Sequence, residues 1–443
     1  MTSILLSLCL SLVPCSDPPD ASWPSFRGFQ ARGVSDGHPL PESWNVETGE
    51  GIRWSVTLPG LAHSSPIAWR ERLYVLAAVR LDGDSELKIG LYGSGDSVPE
   101  EGEHSFRLLA IDRETGARLF ERELHRGVPR LKRHPKATHA NATPATNGEV
   151  VVTFLGSEGL YCHTMDGELR WRRDLGFLDV GAPGYDDPQY QWGFASSPVI
   201  HGDRILIQCD QQQGSYLAAL DLESGETVWK TERDELPTWG TPTVVMQGKE
   251  PQVVANGYQR IGGYALEDGQ PLWWMHGGGD VPVPTPIVWN GLIFITNAHG
   301  RQSPIYAIPV DARGELDPDP ESGHLAWSET RRGNYMQTPL VYRDLLYLCH
   351  DTGVLSCYRP ATGELLYRER LGEGRAGWTA SPVAGDGKIY VTSEEGEVHI
   401  VRAGETFDVV GVHSLGESCL ATPAIVRGAL YFRTRTQLIA VGR

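Results

Sequence analysis

Eight Ser-Pro or Thr-Pro dipeptides, each just ahead of an apolar run, set the period of this chain. The prolines are Pro66, Pro144, Pro198, Pro242, Pro286, Pro339, Pro382 and Pro423, with successive gaps of 78, 54, 44, 44, 53, 43 and 41 residues. A recurrence of about 40–45 residues is the spacing of one four-stranded propeller blade, so the repeat limits the fold before any motif is weighed. The unit is clearest around Pro198. Residues 195–200 read as an inner strand, and His201-Gly202-Asp203 turns the chain into the β-branched stretch 204–208. Residues 216–221 form the third strand, and Glu223-Ser224-Gly225-Glu226 leads into the fourth, 227–229. Four strands joined by hairpin turns make one antiparallel blade. Proline is tolerated at the head of a strand because no ladder hydrogen bond is asked of it there.

The same grammar recurs around Pro144, Pro286 and Pro382. The last unit is short by one strand: 423–426, 429–432 and 437–441 are followed by the end of the sequence. The alternating stretch 51–56, centred on Trp54, can supply the fourth strand and leave no open edge. The expected fold is therefore all-β: an eight-bladed β-propeller of four-stranded antiparallel blades, closed by an N-terminal strand. It occupies 44–443 as one domain, although a chain of 443 residues would by length alone suggest about three. Two long insertions, 81–104 and 175–192, fall between strands, where loops on a rigid scaffold commonly carry binding.

Residues 1–15 contain an apolar run, 4–13, that is too short to span a bilayer and fits a secretory signal peptide. Residues 16–43 are expected as a tether and loop. A lipid anchor at Cys15 is a weaker alternative to plain export into the periplasm or cell envelope, because proline precedes the cysteine. No later stretch is apolar enough for a transmembrane helix. The net charge of −17 disfavours nucleic acid as a partner. A basic run from Arg122 to Lys136 reads as a solvated connection between blades rather than an anion grip, since no aromatics interleave with it. Seven cysteines form no CxxC, and single buried thiols are the expected state. His134 and His139 lack a third ligand, so a metal centre is not expected.

One large aromatic per unit would pack on the neighbouring sheet, which accounts for much of the count of 13 tryptophans. The run Ala219-Leu220-Asp221-Leu222-Glu223-Ser224-Gly225-Glu226-Thr227-Val228-Trp229 resembles the tryptophan-docking motif AxDxxTGxxxW of pyrroloquinoline-quinone-type eight-bladed propellers. Phe120, Trp171, Trp273, Trp327 and Tyr367 hold the matching place in other copies. The resemblance implies two kinds of relative. Some are dehydrogenases holding the quinone with calcium; others are non-catalytic, among them the propeller lipoprotein of the bacterial outer-membrane β-barrel assembly machine. The adjacent-cysteine pair typical of the dehydrogenases is missing here. The resemblance, with that pair missing, therefore implies a non-catalytic, exported binding or scaffold module with a protein or envelope ligand and no cofactor; a monomer is expected. The alternative is a quinone-dependent alcohol or sugar dehydrogenase with calcium. Residues just ahead of each inner strand converge on the funnel mouth, and His63, Asn141, Phe194, Trp239, Tyr335 and Trp378 are the candidate ligand-binding set. The same positions can instead plug the channel.

Overall fold

Each repeat folds into a twisted antiparallel sheet, and eight such sheets stand side by side around one axis. The computed structural model describes residues 21–91, 95–99 and 101–442; the leader at 1–15 with Cys15, and residues 16–20, lie outside the described residues. Blade 3 shows the pattern in full: Val199–His201, Arg204–Cys209, Tyr216–Asp221 and Thr227–Glu232, each antiparallel to the next. The ring closes in blade 8. There Ala424–Val426, Ala429–Arg433 and Gln437–Val441 are joined by Ile52–Thr57, with Ile52 opposite Val441 and Trp54 opposite Ala440. Joining this strand, from near the start of the described chain, to the last one gives blade 8 its fourth strand and closes the ring. No helix among the described residues is long and apolar enough to cross a membrane.

The seams between blades explain the aromatic repeat. The Trp229 indole N–H donates to Leu266 O of blade 4, and the Trp171 N–H to Leu222 O of blade 3. Trp327 reaches Pro360 O of blade 6, and Trp54 reaches Arg113 O of blade 1. Each of these rings lies on a turn glycine of the next blade. A Cβ on Gly225 would stand 2.7 Å from Trp171, and Gly225 has φ +69°, so only glycine meets both demands. Phe120 lies against Gly167 in the same way, and Tyr367 meets Phe407 at 5.7 Å. Trp273 is fully buried among Ile293, Val310 and Leu316, and its N–H is spent on Gln252 of its own blade. Burying a ring of this size removes about 150–250 Å² from water, or about 4–6 kcal/mol per ring before ordering costs. Blade 7 lacks the aromatic: Gly411 stands opposite Ile400 at the equivalent register. Trp44 fills that seam instead, 4.8 Å from His413 and 6.1 Å from Phe432, with its N–H on Ser414 O.

The described part of the stretch expected as a tether and loop is built into the ring. Ser22–Trp23 adds a fifth, innermost strand to blade 1, pairing with Ile67–Trp69. The chain then crosses the channel. Thr146 N of blade 2 donates to Pro24 O, the buried Arg27 guanidinium donates to Thr338 O of blade 6, and Ser35 N donates to Ala384 O of blade 7. A second departure from four strands per blade is Gly314–Leu316. It leaves blade 5 and pairs in parallel with the outer strand of blade 4. The five described cysteines, Cys162, Cys209, Cys349, Cys357 and Cys419, are buried free thiols.

Candidate functional site

The serine or threonine of each dipeptide is placed at the head of an inner strand, where the eight strands come closest. Its proline has no N–H to satisfy, but its own N–H must find a partner away from water. That partner is the hydroxyl of the next blade. Ser65 N donates to Thr143 Oγ1, Thr143 N to Ser197 Oγ, Ser197 N to Thr241 Oγ1 and Thr241 N to Thr285 Oγ1. Thr285 N then donates to Thr338 Oγ1, Thr338 N to Ser381 Oγ and Ser381 N to Thr422 Oγ1. These seven links measure 2.9–3.3 Å and tie all eight blades through one girdle. A sequence repeat of S/T-P is thus a structural repeat of N–H to hydroxyl bonds.

Above the girdle opens a well of about 970 Å³, lined by all eight of these hydroxyl residues. Phe26, from the crossing N-terminal segment, closes its floor. The walls come from the positions two residues ahead of each hydroxyl: His63, Asn141, Ala195, Trp239, Val283, Met336, Thr379 and Leu420. In extended chain alternate residues share a face, so a position two back from the hydroxyl looks into the same space. Counting back two from each Ser or Thr would have found the whole set in the sequence.

Of the six candidate residues, His63, Asn141, Trp239 and Tyr335 line the well. Phe194 and Trp378 do not. They lie one position further back, at the opposite phase of the alternation, and turn into the blades. Phe194 packs on Phe154 at 4.4 Å; Trp378 is 1% exposed and lies 5.2 Å from His399. Ala195 and Thr379 take their places in the wall. Tyr335 shares the phase of Phe194 but faces the mouth through a loop, stacked on His299 at 5.5 Å. Burial pushes its phenol up to about 12.

Both long insertions end at the rim and hold each other. Ser97 N donates to Gln189 O, and the Trp192 indole N–H donates to Gly95 O at 2.7 Å. Trp192 stacks on Trp239 at 5.6 Å, and the Trp239 N–H is spent on Gly193 O. The basic run divides: Arg122, Arg126 and Arg130 are exposed, whereas its end is tied into the rim. Arg133 is buried, bonding Ala137 O and Glu86 O, and Lys136 crosses the mouth to blade 7. There its ammonium meets the fully buried Glu394 carboxylate at 2.5 Å. Thr379 Oγ1 and Gly90 N also donate to Glu394, so both carboxylate oxygens are engaged. Nothing in the local sequence marks this pair, whose members are 258 residues apart.

His63 Nε2 donates to Lys136 O, and burial holds its imidazole down to about 4. His350 also lines the well and is lowered to about 4, by burial first and then by Arg368. Its Nε2 is buried with no hydrogen-bond partner. Asp351 beside it is raised by burial, opposed in part by Lys136. His134 lines the well edge-on to Trp192, whereas His139 lies against His104, so the two loop histidines part company. Among the described residues no group of three or more His, Cys, Asp or Glu side chains is placed to hold a metal ion.

The fold and the well together define a closed eight-bladed propeller with a floored central cavity. The sequence profile of the family described as outer membrane protein assembly factor BamB matches residues 104–364. The chain belongs to that family, within the quinone-type propeller repeats its docking motifs resemble. BamB from Moraxella catarrhalis is similar in structure, with a TM-score of 0.55 at 14% identity over 83% of this chain and 100% of that one. The quinohemoprotein alcohol dehydrogenase from Comamonas testosteroni gives a TM-score of 0.63 at 11% identity, covering 95% of this chain and 80% of that one. A europium-containing methanol dehydrogenase gives 0.60 at 10%, covering 94% and 89%. At such identities these likenesses are of fold. No curated protein matches the sequence.

Proposed function

We propose that this protein is a non-catalytic binding module of the cell envelope, whose ligand or partner engages the well and its rim. The observation that carries this reading is the state of Glu394. Its carboxylate is fully buried behind the lining residues Lys136, Thr379 and Gly90, which already claim its oxygens. A carboxylate that must accept a substrate proton or ligate calcium needs a free oxygen facing the reacting group. The residues present do not fit a calcium-held quinone. Calcium takes six to eight oxygens, and Asp351 is the one carboxylate among the lining residues, Glu394 being paired to Lys136 and Asp280 to His299. Membership of the BamB family supports an envelope location and a protein partner.

The test is dye-linked oxidation of alcohols and sugars by purified protein supplied with pyrroloquinoline quinone and calcium. The expected rate equals that of protein without quinone. Calcium-dependent turnover that disappears in Asp351→Asn would overturn the binding-module reading and assign the well to a dehydrogenase.

A further inference from the structure

The girdle leaves an unspent capacity. Seven of the eight hydroxyls, all but that of Ser65, use a lone pair on a neighbour's N–H, as the seven links describe. A hydroxyl also carries one proton to donate. Among the described residues no protein acceptor takes the protons of these eight hydroxyls, and all eight residues line the well while being 5% exposed or less. Buried donors of this kind are normally satisfied, by water or by a ligand. His350 adds an unpartnered buried ring nitrogen to the same space.

The aromatic groups around the well have the complementary property. The N–H groups of Trp192 and Trp239 are spent on Gly95 O and Gly193 O, so what they offer the well is ring surface. Phe26 offers the same at the floor. Charge at depth is sparse: Lys136 and Glu394 neutralise each other, burial keeps His63 and His350 uncharged near neutral pH, and Asp351 is the one carboxylate among the lining residues. Unpaired arginines, Arg331 and Arg368, stand only at the exposed mouth.

Building on the binding-module reading, we propose that the well binds a neutral saccharide. Ring faces suit the apolar C–H face of a sugar, while hydroxyls that both donate and accept match sugar hydroxyls better than they match an anion, which can only accept. The volume lies at the upper end of ligand pockets, about 300–1,000 Å³, and leaves room for more than one sugar unit.

Isothermal titration calorimetry of the full chain with cellotriose, maltotriose and chitotriose, and with a uronic-acid trimer, tests this. The expected result is saturable heat at millimolar concentration with at least one neutral trimer, and weaker heat with the uronate. Trp239→Ala should lower the affinity about tenfold, equivalent to about 1.4 kcal/mol. His350→Ala breaks no protein hydrogen bond and should fold normally while binding more weakly, so it covers the case in which Trp239→Ala is unstable. Heat with none of the neutral trimers, tighter binding of the uronate, or affinity untouched by both substitutions overturns the proposal. Those outcomes leave the binding-module reading standing, because that reading falls only to dye-linked turnover.

Discussion

Replacing Thr241 by valine tests whether the girdle, and not merely the apolar repeat, holds the blades in register. Valine matches threonine in volume but has no oxygen. Its substitution strands the buried Ser197 N–H, which now donates to Thr241 Oγ1 at 3.0 Å. Leaving a buried donor unmet costs about 1–3 kcal/mol. The magnitude is modest in thermal terms because the ring is large. With about 2.1 cal/mol/K of unfolding entropy per residue, 443 residues give about 0.9 kcal/mol/K, so the expected fall in Tm is about 1–3 °C. Differential scanning calorimetry resolves such shifts. Thr241→Ser is the control: it keeps the oxygen, loses one methyl, and should cost no more than about 1 kcal/mol. The double variant Thr241→Val with Thr285→Val strands two successive donors and should lower Tm further than Thr241→Val alone, though not by a strict sum, because the two sites share one hydrogen-bond network. If Thr241→Val equals Thr241→Ser, or melts with the wild type, the hydroxyl bonds contribute nothing and the Ser/Thr-Pro repeat needs another explanation.

Trp54→Ala removes the aromatic that seats blade 8 on blade 1 and should cost about 3 kcal/mol, the lower end for tryptophan truncation because Trp54 is only half-buried; a stability equal to that of Val409→Ala on an outer edge would contradict the closure role. Gly225→Ala puts a methyl 2.7 Å from Trp171 at φ +69°, whereas Gly291→Ala at φ +80° meets nothing within 4 Å, so Gly225→Ala should lose more in urea denaturation than the roughly 1–2 kcal/mol of Gly291→Ala. His63, His163 and His350 are each held down to about 4 by burial, below their unfolded value near 6.5. The unfolded chain therefore takes up protons first as acid is added, so stability is full above about pH 6.5 and falls between pH 6.5 and 4. Tm followed over that window should decline, and His63→Gln with His350→Gln should flatten the decline; an unchanged slope would show that these rings do not set it.

Much of the architecture was legible because it rests on short-range rules repeated eight times. The turn chemistry of Glu223-Ser224-Gly225-Glu226, the β-branched second strands and the one aromatic per unit are local signals, and repetition made weak ones countable. The closing strand at Trp54 was legible by subtraction, since seven units were complete and one lacked a strand. The same local logic carried four of the six well residues, His63, Asn141, Trp239 and Tyr335, into the cavity lining. It misdirected Phe194 and Trp378, because an aromatic side chain just ahead of a strand looks equally plausible at either phase, and only the pleat decides which phase faces inward.

What the chain determined by itself is the ring: its number of sectors, its closure and the hydroxyl at the head of each inner strand. What tertiary structure alone decided is everything that joins distant points across the axis. Lys136 finds Glu394 over the mouth, Trp44 fills the seam that Gly411 leaves open, and residues 24–35 run beneath the well to give it a floor. Strands and turns follow from neighbours a few residues apart. A contact between points hundreds of residues apart depends on where the closed circle brings them, and no local pattern records that position.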